Sequence, residues 1–383
     1  MRIKKYVCLL TVMAAALCLF ACTGPDQASE KKTEKQFVEI RDDTGRMVRV
    51  PEDVEHIICS GPGCLRLVAY LQAEKMVTAV DDIETRLTKF DARPYALANP
   101  QFKQKPIFGQ FRGLDNPELI LGLETQPDVI LKTYPNMGHD PAELEKKTGI
   151  PVVAMNYGTF VQYRKQLYNT LRTFGKVLDR EQRAAEVINF FENEIQTLAQ
   201  RTADIPQEEK KTCFVGGIAF KGPHGFQSTE PMYPPFVFIG ARSVLLENVD
   251  ADQDVPAHTD IAKEKIVDWD PDILFLDLST IQNSGEASAL YQLRNDPAYK
   301  DLTAVKEGKV YGVLPYNWYS RNFGSILADA FYVGKILYPE RFQDIDPGEK
   351  ADEIYDFLVG GEVFKAMDES FENQAFKPIE MES

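Results

Sequence analysis

Cationic and aromatic side chains occur together in the glycine- and proline-rich segments of this sequence. The cations in these segments are Arg112, Lys221, His224 and Arg321. The neighbouring aromatic residues are Tyr134, Tyr157, Tyr233, Trp318 and Tyr319, and a further Gly-Pro-Gly segment begins at Gly61. Arginine donates forked hydrogen bonds to carboxylates and similar oxygens, while tyrosine and tryptophan offer flat apolar faces with a polar edge. These residue types predict a binding site for an anionic ligand that has aromatic or macrocyclic parts.

A pattern that occurs twice indicates the fold that must position these residues. Residues 118–132 and 264–276 each begin with a glutamate in a short amphipathic helix, pass through Pro-Asp, and end in an apolar run typical of a buried strand. Helices and strands alternate along much of the chain, which is typical of a mostly parallel sheet. The predicted fold class is therefore α/β, with two Rossmann-like lobes and a ligand cleft between them.

Five segments follow from the pattern of apolar and polar residues. We expect a signal peptide over 1–21, a lipidated cysteine and flexible tether over 22–36, an N-terminal α/β lobe over 37–160, a connector helix region over 161–204, and a C-terminal α/β lobe over 205–383. The connector is expected because apolar residues from Leu167 to Ile195 recur at helical spacing without a strand. A stiff helical connector predicts a largely preformed cleft that closes only slightly.

The N-terminus has the features of a secretory signal. Arg2, Lys4 and Lys5 precede an apolar run that ends at Phe20 and is too short for a comfortable transmembrane span. The run continues into Ala21-Cys22, which resembles a bacterial lipoprotein cleavage site, although Phe20 departs from the small or β-branched residue usual there. We expect an extracytoplasmic protein attached to a bacterial membrane, in the periplasm or at the cell surface, through a lipid on Cys22. An ordinary secreted protein is the alternative.

Composition argues against several other classes. The net charge of −15 argues against a nucleic-acid partner. Three cysteines, Cys59, Cys64 and Cys213, remain in the folded body, and an odd number excludes a full disulfide framework. Cys59 and Cys64 either form a bridge or remain free thiols. The four histidines are scattered and no GxSxG or HExxH motif occurs, so we expect no metal site, no cofactor and no enzymatic activity.

Several short motifs of the body follow a known order. They are Asp42-Asp43-Thr44-Gly45-Arg46, Gly61-Pro62-Gly63, Pro127-Asp128, Trp269-Asp270-Pro271-Asp272 and the segment 302–311. In this order they resemble the periplasmic binding proteins of ABC importers for iron–siderophore, haem and cobalamin. The resemblance implies a monomeric receptor with two lobes joined by one long helix, which delivers its ligand to the importer's membrane subunits.

The resemblance also implies a role for the two glutamates that open the repeated pattern. In such receptors one glutamate on each lobe docks into arginine pockets on the two membrane subunits, and Glu118 and Glu264 occupy the matching places. Two carboxylates at a fixed separation suit a two-fold partner through charge-assisted pairs. The alternative is that each glutamate complements the dipole of its own helix.

Three functions remain open for the site. The first is a receptor for a metal chelate such as a ferric siderophore, haem or a corrinoid, which the aromatic residues favour. The second is a receptor for a bare oxyanion, molybdate or tungstate, for which a few cations and backbone amides suffice. The third is an extracytoplasmic hydrolase built on His224, Ser228 and Glu230, a spacing that matches no known scaffold. A bare Zn²⁺ or Mn²⁺ receptor is not favoured, because borderline divalent ions need closely set histidines and carboxylates.

Overall fold

The computed structural model describes residues 36–381, except 87–88 and 249–255. The predicted signal peptide, Cys22 and almost all of the tether lie outside these residues. Phe37–Ser383 forms one unit. In the described part of the chain, no helix combines the length and the apolar character that crossing a bilayer requires.

The N-terminal lobe is built on a six-stranded sheet preceded by a hairpin. The hairpin pairs β1 (Phe37–Arg41) with β2 (Met47–Pro51) in antiparallel register. The sheet contains β3 (Ile57–Ser60), β4 (Val77–Asp81), β5 (Ile107–Gln110), β6 (Leu114–Asp115), β7 (Val129–Thr133) and β8 (Val152–Met155). Its order is β6-β5-β4-β3-β7-β8, and every pair is parallel except β5 with β6. The predicted hairpin and parallel sheet are confirmed.

The C-terminal lobe repeats this arrangement on a smaller scale. Its strands are β9 (Thr212–Gly216), β10 (Ser228–Thr229), β11 (Arg242–Ser243), β12 (Thr259–Asp260), β13 (Ile273–Asp277) and β14 (Val310–Val313). Four of them form a parallel sheet in the order β11-β9-β13-β14, and β10 pairs with β12 as a short antiparallel ribbon. The two-residue strands were not predicted, since so few residues show no periodicity.

Helices cover the sheets and join the lobes. Those of the N-terminal lobe are α1 (Cys64–Tyr70), α2 (Asp82–Thr85), α3 (Pro94–Ala98), α4 (Pro117–Leu121) and α5 (Pro141–Thr148). The connector contains α6 (Arg164–Val177) and α7 (Glu181–Thr202). After it come α8 (Pro234–Phe238), α9 (Lys263–Trp269), α10 (Ala289–Asn295), α11 (Pro297–Lys300), α12 (Thr303–Lys306), α13 (Phe323–Leu337), α14 (Pro347–Val359) and α15 (Phe364–Ser370). Single 3-10 turns cover Glu74–Met76, Pro100–Gln104, Gln207–Glu209, Leu246–Asn248, Leu278–Gln282, Gly285–Ala287 and Pro339–Arg341.

The repeated Pro-Asp pattern performs the same structural task in each lobe. The Asp128 carboxylate accepts hydrogen bonds from the backbone N–H groups of Glu55 and His56, at 3.0 and 2.9 Å. The Asp272 carboxylate accepts from the backbone N–H and hydroxyl of Thr212, at 2.8 and 2.7 Å. Each aspartate precedes one central strand and accepts hydrogen bonds from the beginning of the neighbouring strand. These bonds satisfy backbone N–H groups at the amino ends of the strands.

The connector is two helices rather than one. Helix α6 ends at Val177, Asp179 takes a left-handed φ of 54°, and α7 begins at Glu181. The predicted long connector helix is α7, with 22 residues. The apolar periodicity of the region continues through a turn that contains neither glycine nor proline, so the sequence did not show that α6 is a separate helix. Gly175 and Ala184 approach across the turn so closely that a Cβ on Gly175 would lie 2.8 Å from that of Ala184.

Helix α7 joins the lobes by contacting both of them. Arg183, near its beginning, donates to the carbonyl of Tyr70 in α1, and Thr202, at its end, donates to the carbonyl of Ile239 beyond α8. The last helices do not belong to the C-terminal lobe alone, since α14 also packs on α1 and α3 of the N-terminal lobe. One buried apolar cluster therefore runs through both lobes and the connector.

The three cysteines of the body are buried and free. Of the two alternatives for Cys59 and Cys64, the structure selects free thiols. Burial raises the pKa of the Cys213 thiol and that of Cys59, so these two thiols behave as small apolar residues.

Candidate ligand-binding cleft

Both parallel sheets reverse their strand order next to the first strand of the lobe. Strands β4 and β5 lie on one side of β3 and strands β7 and β8 on the other, while β11 and β13 flank β9. In open α/β sheets, ligands bind beyond the carboxyl ends of the strands at such a reversal. The loops that follow β3, β7, β9 and β14 are therefore the ones expected to hold a ligand.

A cavity of about 580 Å³ lies between these loops, within the usual range for small-molecule sites. Its N-terminal wall is formed by Pro62, Ile83, Phe111, Arg112, Tyr134 and Met137. Its C-terminal wall is formed by Ala219, Phe220, Lys221, Gly222, Pro223, Ala257 and residues 317–321. Six of the ten residues selected from the sequence line this cavity, namely Arg112, Tyr134, Lys221, Trp318, Tyr319 and Arg321.

Arg112 and Lys221 supply positive charge from opposite walls. Both are exposed and lie in turns with a left-handed φ, 64° for Arg112 and 58° for Lys221. Among the described residues, no carboxylate forms an ion pair with either. Lys132 supports the turn that carries Arg112: it is fully buried and donates to the carbonyl of Gly113 at 3.4 Å, to Ser60 Oγ at 2.9 Å and to the Asp115 carboxylate at 3.0 Å. Within the part of the chain that the structure describes, a ligand anion can therefore meet two cations that form no ion pair.

Arg321 lines the cleft but already has an internal partner. Its guanidinium lies 2.9 Å from the Glu230 carboxylate, and both side chains are nearly buried. Glu230 also accepts a hydrogen bond from the Tyr316 hydroxyl. The sequence-based expectation that Arg321 neutralises a ligand anion must be corrected, because this buried pair compensates its charge.

Arg66, which the sequence reasoning missed, lies behind the cleft wall. It lies on α1, is fully buried, and donates to the Tyr157 hydroxyl at 2.6 Å. It also donates to the backbone carbonyls of Arg321, Trp318 and Tyr319, at 3.0, 3.0 and 3.1 Å. No carboxylate of the described chain bonds to it. The signal available in the sequence was an arginine within the otherwise apolar stretch Cys64–Tyr70.

The guanidinium of Arg66 thus has two consequences for the cleft. It holds the 318–321 turn of the C-terminal lobe against the N-terminal lobe. It also places a cation bonded only to neutral groups behind the cleft wall, where a low dielectric makes its field stronger than at the surface. The second effect favours an anion in the cleft.

Aromatic side chains form a stack that begins at the cleft surface. The ring of Tyr134 lies 5.7 Å from that of Tyr157, which lies 5.2 Å from that of Phe323. The Tyr134 hydroxyl is 2.7 Å from Ser320 Oγ on the opposite lobe. Tyr157 is buried and does not line the cleft as the sequence had suggested; it supports Tyr134 from beneath.

Tyr319 forms a second link between the lobes. Its hydroxyl donates to the Asp81 carboxylate and accepts from the backbone N–H of Arg112, at 3.2 Å. Burial, with the neighbouring Glu84 carboxylate, raises the pKa of Asp81 to about 7. This carboxyl is therefore protonated more readily than an exposed aspartate.

Two further predicted residues act in packing rather than in the cleft wall. Gly61 has a φ of 84°, and a Cβ there would lie 2.5 Å from the carbonyl oxygen of Thr133. Glycine is therefore required for β3 and β7 to end side by side. Tyr233 is buried against Phe236 and Tyr316 in the C-terminal lobe, so the structure places it in the core.

His224 lies behind the cleft wall and faces another histidine. Its ring centroid is 5.5 Å from that of His258. The proposed triad of His224, Ser228 and Glu230 does not assemble, since the His224 ring bonds to the carbonyl of Phe220 and Glu230 pairs with Arg321. Ser228 is itself buried.

Glu118 and Glu264 lie at equivalent positions on the two lobes. Each is exposed and stands in the first turn of its helix, α4 or α9. Neither makes an ion pair with any described residue. Leu119 and Leu121 beside Glu118 are 46% and 52% exposed, an unusual degree for neighbouring leucines in a short helix.

Two α/β lobes, a helical connector and a cleft lined by cations and aromatic rings define a solute-binding receptor. The sequence confirms this class: residues 57–316 match the family described as "Periplasmic binding protein". Because this match covers more than half of the chain, the protein belongs to that family, whose members are solute-binding proteins of ABC importers.

Comparison with individual proteins supports the fold. The chain is similar to the molybdate-binding protein MolA of Haemophilus influenzae, at 21% identity over 82% of this chain and 89% of MolA. The structure of MolA bound to molybdate has a TM-score of 0.62, with 20% identity over 85% of this chain and 98% of that one. An ABC transporter solute-binding protein of Sulfurospirillum deleyianum also gives 0.62, with 20% identity over 87% and 98% of the two chains. The petrobactin-binding protein YclQ of Bacillus subtilis gives 0.53, with 16% identity over 85% and 99%.

Proposed function

We propose that this importer receptor captures an anionic metal chelate, such as a ferric siderophore, haem or a corrinoid, in the cleft between its lobes. The observation that carries the proposal is the combination of Arg112 and Lys221 on opposite walls with the aromatic faces of Phe111, Tyr134 and Trp318. The cavity of about 580 Å³ suits a chelate better than a single tetrahedral ion. YclQ, a protein of the same fold, is named for binding petrobactin.

A bare oxyanion such as molybdate or tungstate is the second candidate. Two observations favour it. MolA, similar over most of the chain, is named for binding molybdate, and Arg66 places a cation behind the cleft wall that donates to neutral oxygens. An oxyanion would use the same two surface cations and would leave the aromatic faces uncovered.

Calorimetric titration of the protein with ferric siderophores, haem, corrinoids, molybdate and tungstate separates the candidates. For either ligand class, Arg112→Gln and Lys221→Gln should each weaken binding by about ten-fold, since each removes one charge-assisted contact. Trp318→Ala should weaken a chelate by a similar factor and leave an oxyanion unchanged. Arg172→Gln and Lys365→Gln, exposed cations outside the cleft lining, are the matched controls. Binding that survives both cleft substitutions would refute the proposed site.

We further propose that Glu118 and Glu264 dock the loaded receptor on the importer's membrane subunits. Their exposure, their equivalent positions and the exposed leucines beside Glu118 support this role. Glu118→Ala and Glu264→Ala should each reduce uptake in cells without changing ligand affinity, and the double variant should reduce it further. Glu353→Ala, an exposed helical glutamate on α14, is the control. Weaker ligand binding in either single variant would instead place these residues in the capture step.

For the location of the protein, we propose a monomer tethered outside the cytoplasm by a lipid on Cys22. The sequence around Cys22 supports the tether. Labelling of cells with an alkyne fatty acid should mark the wild-type chain and fail to mark Cys22→Ser. Light scattering of the purified protein tests the monomer.

A further inference from the structure

A group of metal-ligating side chains lies in the C-terminal lobe, outside the cleft lining. His224, His258 and Asp260 each place one ligand atom so that the three atoms lie within 4.8 Å of one another. The two histidines are far apart in sequence, so this proximity arises only from the fold. We propose that these three residues bind a borderline divalent cation such as Zn²⁺, Ni²⁺ or Co²⁺, at a site distinct from the ligand cleft.

Hydrogen bonds determine the tautomer of each histidine. His224 Nε2 lies 2.7 Å from the carbonyl oxygen of Phe220. A carbonyl oxygen only accepts, so Nε2 must carry the proton and Nδ1 keeps its lone pair.

The hydroxyl of Ser228 determines the tautomer of His258. Ser228 Oγ donates its proton to the carbonyl of Ile218 at 2.7 Å. Its remaining contact, 2.7 Å from His258 Nε2, must therefore be one in which the histidine donates. Nδ1 of His258 is also left with a lone pair, and neutral imidazoles held by a hydrogen bond on the far nitrogen are the usual metal ligands.

The backbone around the site holds the three ligands in place. Strand β12 pairs Asp260 with Ser228 and Thr259 with Thr229. His258 and Asp260 are two residues apart on an extended segment and so lie on one face of it. The carbonyl of His224 accepts from Thr280 Oγ1 at 2.8 Å, and the ring of His258 stacks on Phe220 at 4.3 Å.

The charges facing the site suit a cation. Asp260 is exposed and makes no ion pair with any residue that the structure describes. A tetrahedral ion bound at about 2.0–2.2 Å holds its ligands roughly 3.3–3.6 Å apart, so the three ligand atoms, which lie within 4.8 Å of one another, would have to approach slightly when the ion binds. Three protein ligands leave the fourth position open to water.

Titration of the full chain, solubilised in mild detergent and purified without a polyhistidine tag, tests the site. After treatment with EDTA and dialysis, calorimetry with ZnSO₄, NiCl₂ or CoCl₂ should show one ion per chain. Co²⁺ should also give visible absorption typical of a four-coordinate ion. His224→Ala and His258→Ala should each weaken binding at least ten-fold, and Asp260→Asn should weaken it less, with an unchanged melting temperature of the metal-free protein.

His139→Ala and His56→Ala remove histidines of the other lobe and are the matched controls. Absence of binding, or binding that persists in both His224→Ala and His258→Ala, would overturn the inference. Ligand titrations repeated in EDTA keep the two proposals separate. If the metal titrations show no bound ion while the cleft still binds its ligand in EDTA, only the metal site is overturned.

Discussion

Replacing the buried Arg66 by lysine tests how the two lobes are held together. The guanidinium donates to one hydroxyl and three backbone carbonyls, and three of these four acceptors belong to the 318–321 turn. Lysine keeps the positive charge, so the cost of burying a cation changes little. It offers three donors from a single point and lacks the planar fork.

The expected loss follows from the acceptors that lysine cannot reach. At least one carbonyl is left buried without a donor, which costs about 1–3 kcal/mol, and the contacts that remain are less well aligned. We therefore expect Arg66→Lys to lower the free energy of unfolding by about 2–4 kcal/mol. For a folded body of roughly 350 residues, this corresponds to a fall in melting temperature of about 3–6 °C.

Guanidinium denaturation followed by circular dichroism measures the free-energy change, and scanning calorimetry measures the change in melting temperature. The matched control is Arg172→Lys on the exposed face of α6, which should stay within about 0.5 kcal/mol of wild type. Ligand affinity should also fall, because the loosened turn carries Trp318 and Tyr319. If Arg66→Lys matches the wild type in both stability and affinity, the reasoning that this guanidinium joins the lobes is wrong.

Two further predictions concern Asp81 and Gly61. Burial raises the pKa of Asp81 to about 7 in the folded protein, above the value of about 3.9 expected in the unfolded chain. The stability that the protonated Asp81 carboxyl contributes is therefore present at low pH and is lost as pH rises through 7. Between pH 5 and 8, the free energy of unfolding of Asp81→Asn should fall less than that of the wild type in denaturation series. Parallel profiles of unfolding free energy against pH would contradict this. Gly61→Ala should cost roughly 2–4 kcal/mol in the same denaturation assay, because it combines a left-handed φ with a Cβ 2.5 Å from Thr133 O. Gly45→Ala, with a φ of 87° and no atom near its Cβ, should cost only about 1 kcal/mol, and equal losses at the two glycines would contradict the role of the contact.

The connector bears on how the receptor captures its ligand. Although α6 and α7 are separate helices, α7 contacts both lobes and one apolar cluster runs through all three parts. The links between Arg66, Tyr134, Tyr319 and their partners across the cleft add to this cluster. A largely preformed cleft with small closure stays a prediction, for which these contacts between the lobes are now the structural reason.

The local elements were predictable because their signals are local. The hairpin of β1 and β2, the strands after each Pro-Asp and the helix at Cys64 all follow from alternation, turn residues and apolar periodicity over a few residues. The break near Asp179 was not predictable, since a left-handed aspartate in a run of helix-forming residues leaves no mark in the pattern. The two-residue strands of the C-terminal lobe were missed for a similar reason.

Residue types and their places in predicted loops were enough to select the cleft, because six of the ten selected residues do line it. Residue types do not show which charges are already compensated. The pairing of Arg321 with Glu230 and the burial of Tyr233 depend on packing between distant segments.

The sequence by itself determined the order of the longer elements and the repeated lobe, because these depend on periodicity, and the class of receptor, through the resemblance of motifs a few residues long. Only the tertiary structure decided that Arg112 and Lys221 form no ion pair within the described part of the chain, that Arg66 holds the lobes together, and that His224 meets His258. Each of these outcomes depends on burial and on distances between residues far apart in the chain. A side chain can offer a ligand only the charge and the hydrogen-bonding groups that are not already paired with other residues of the folded protein.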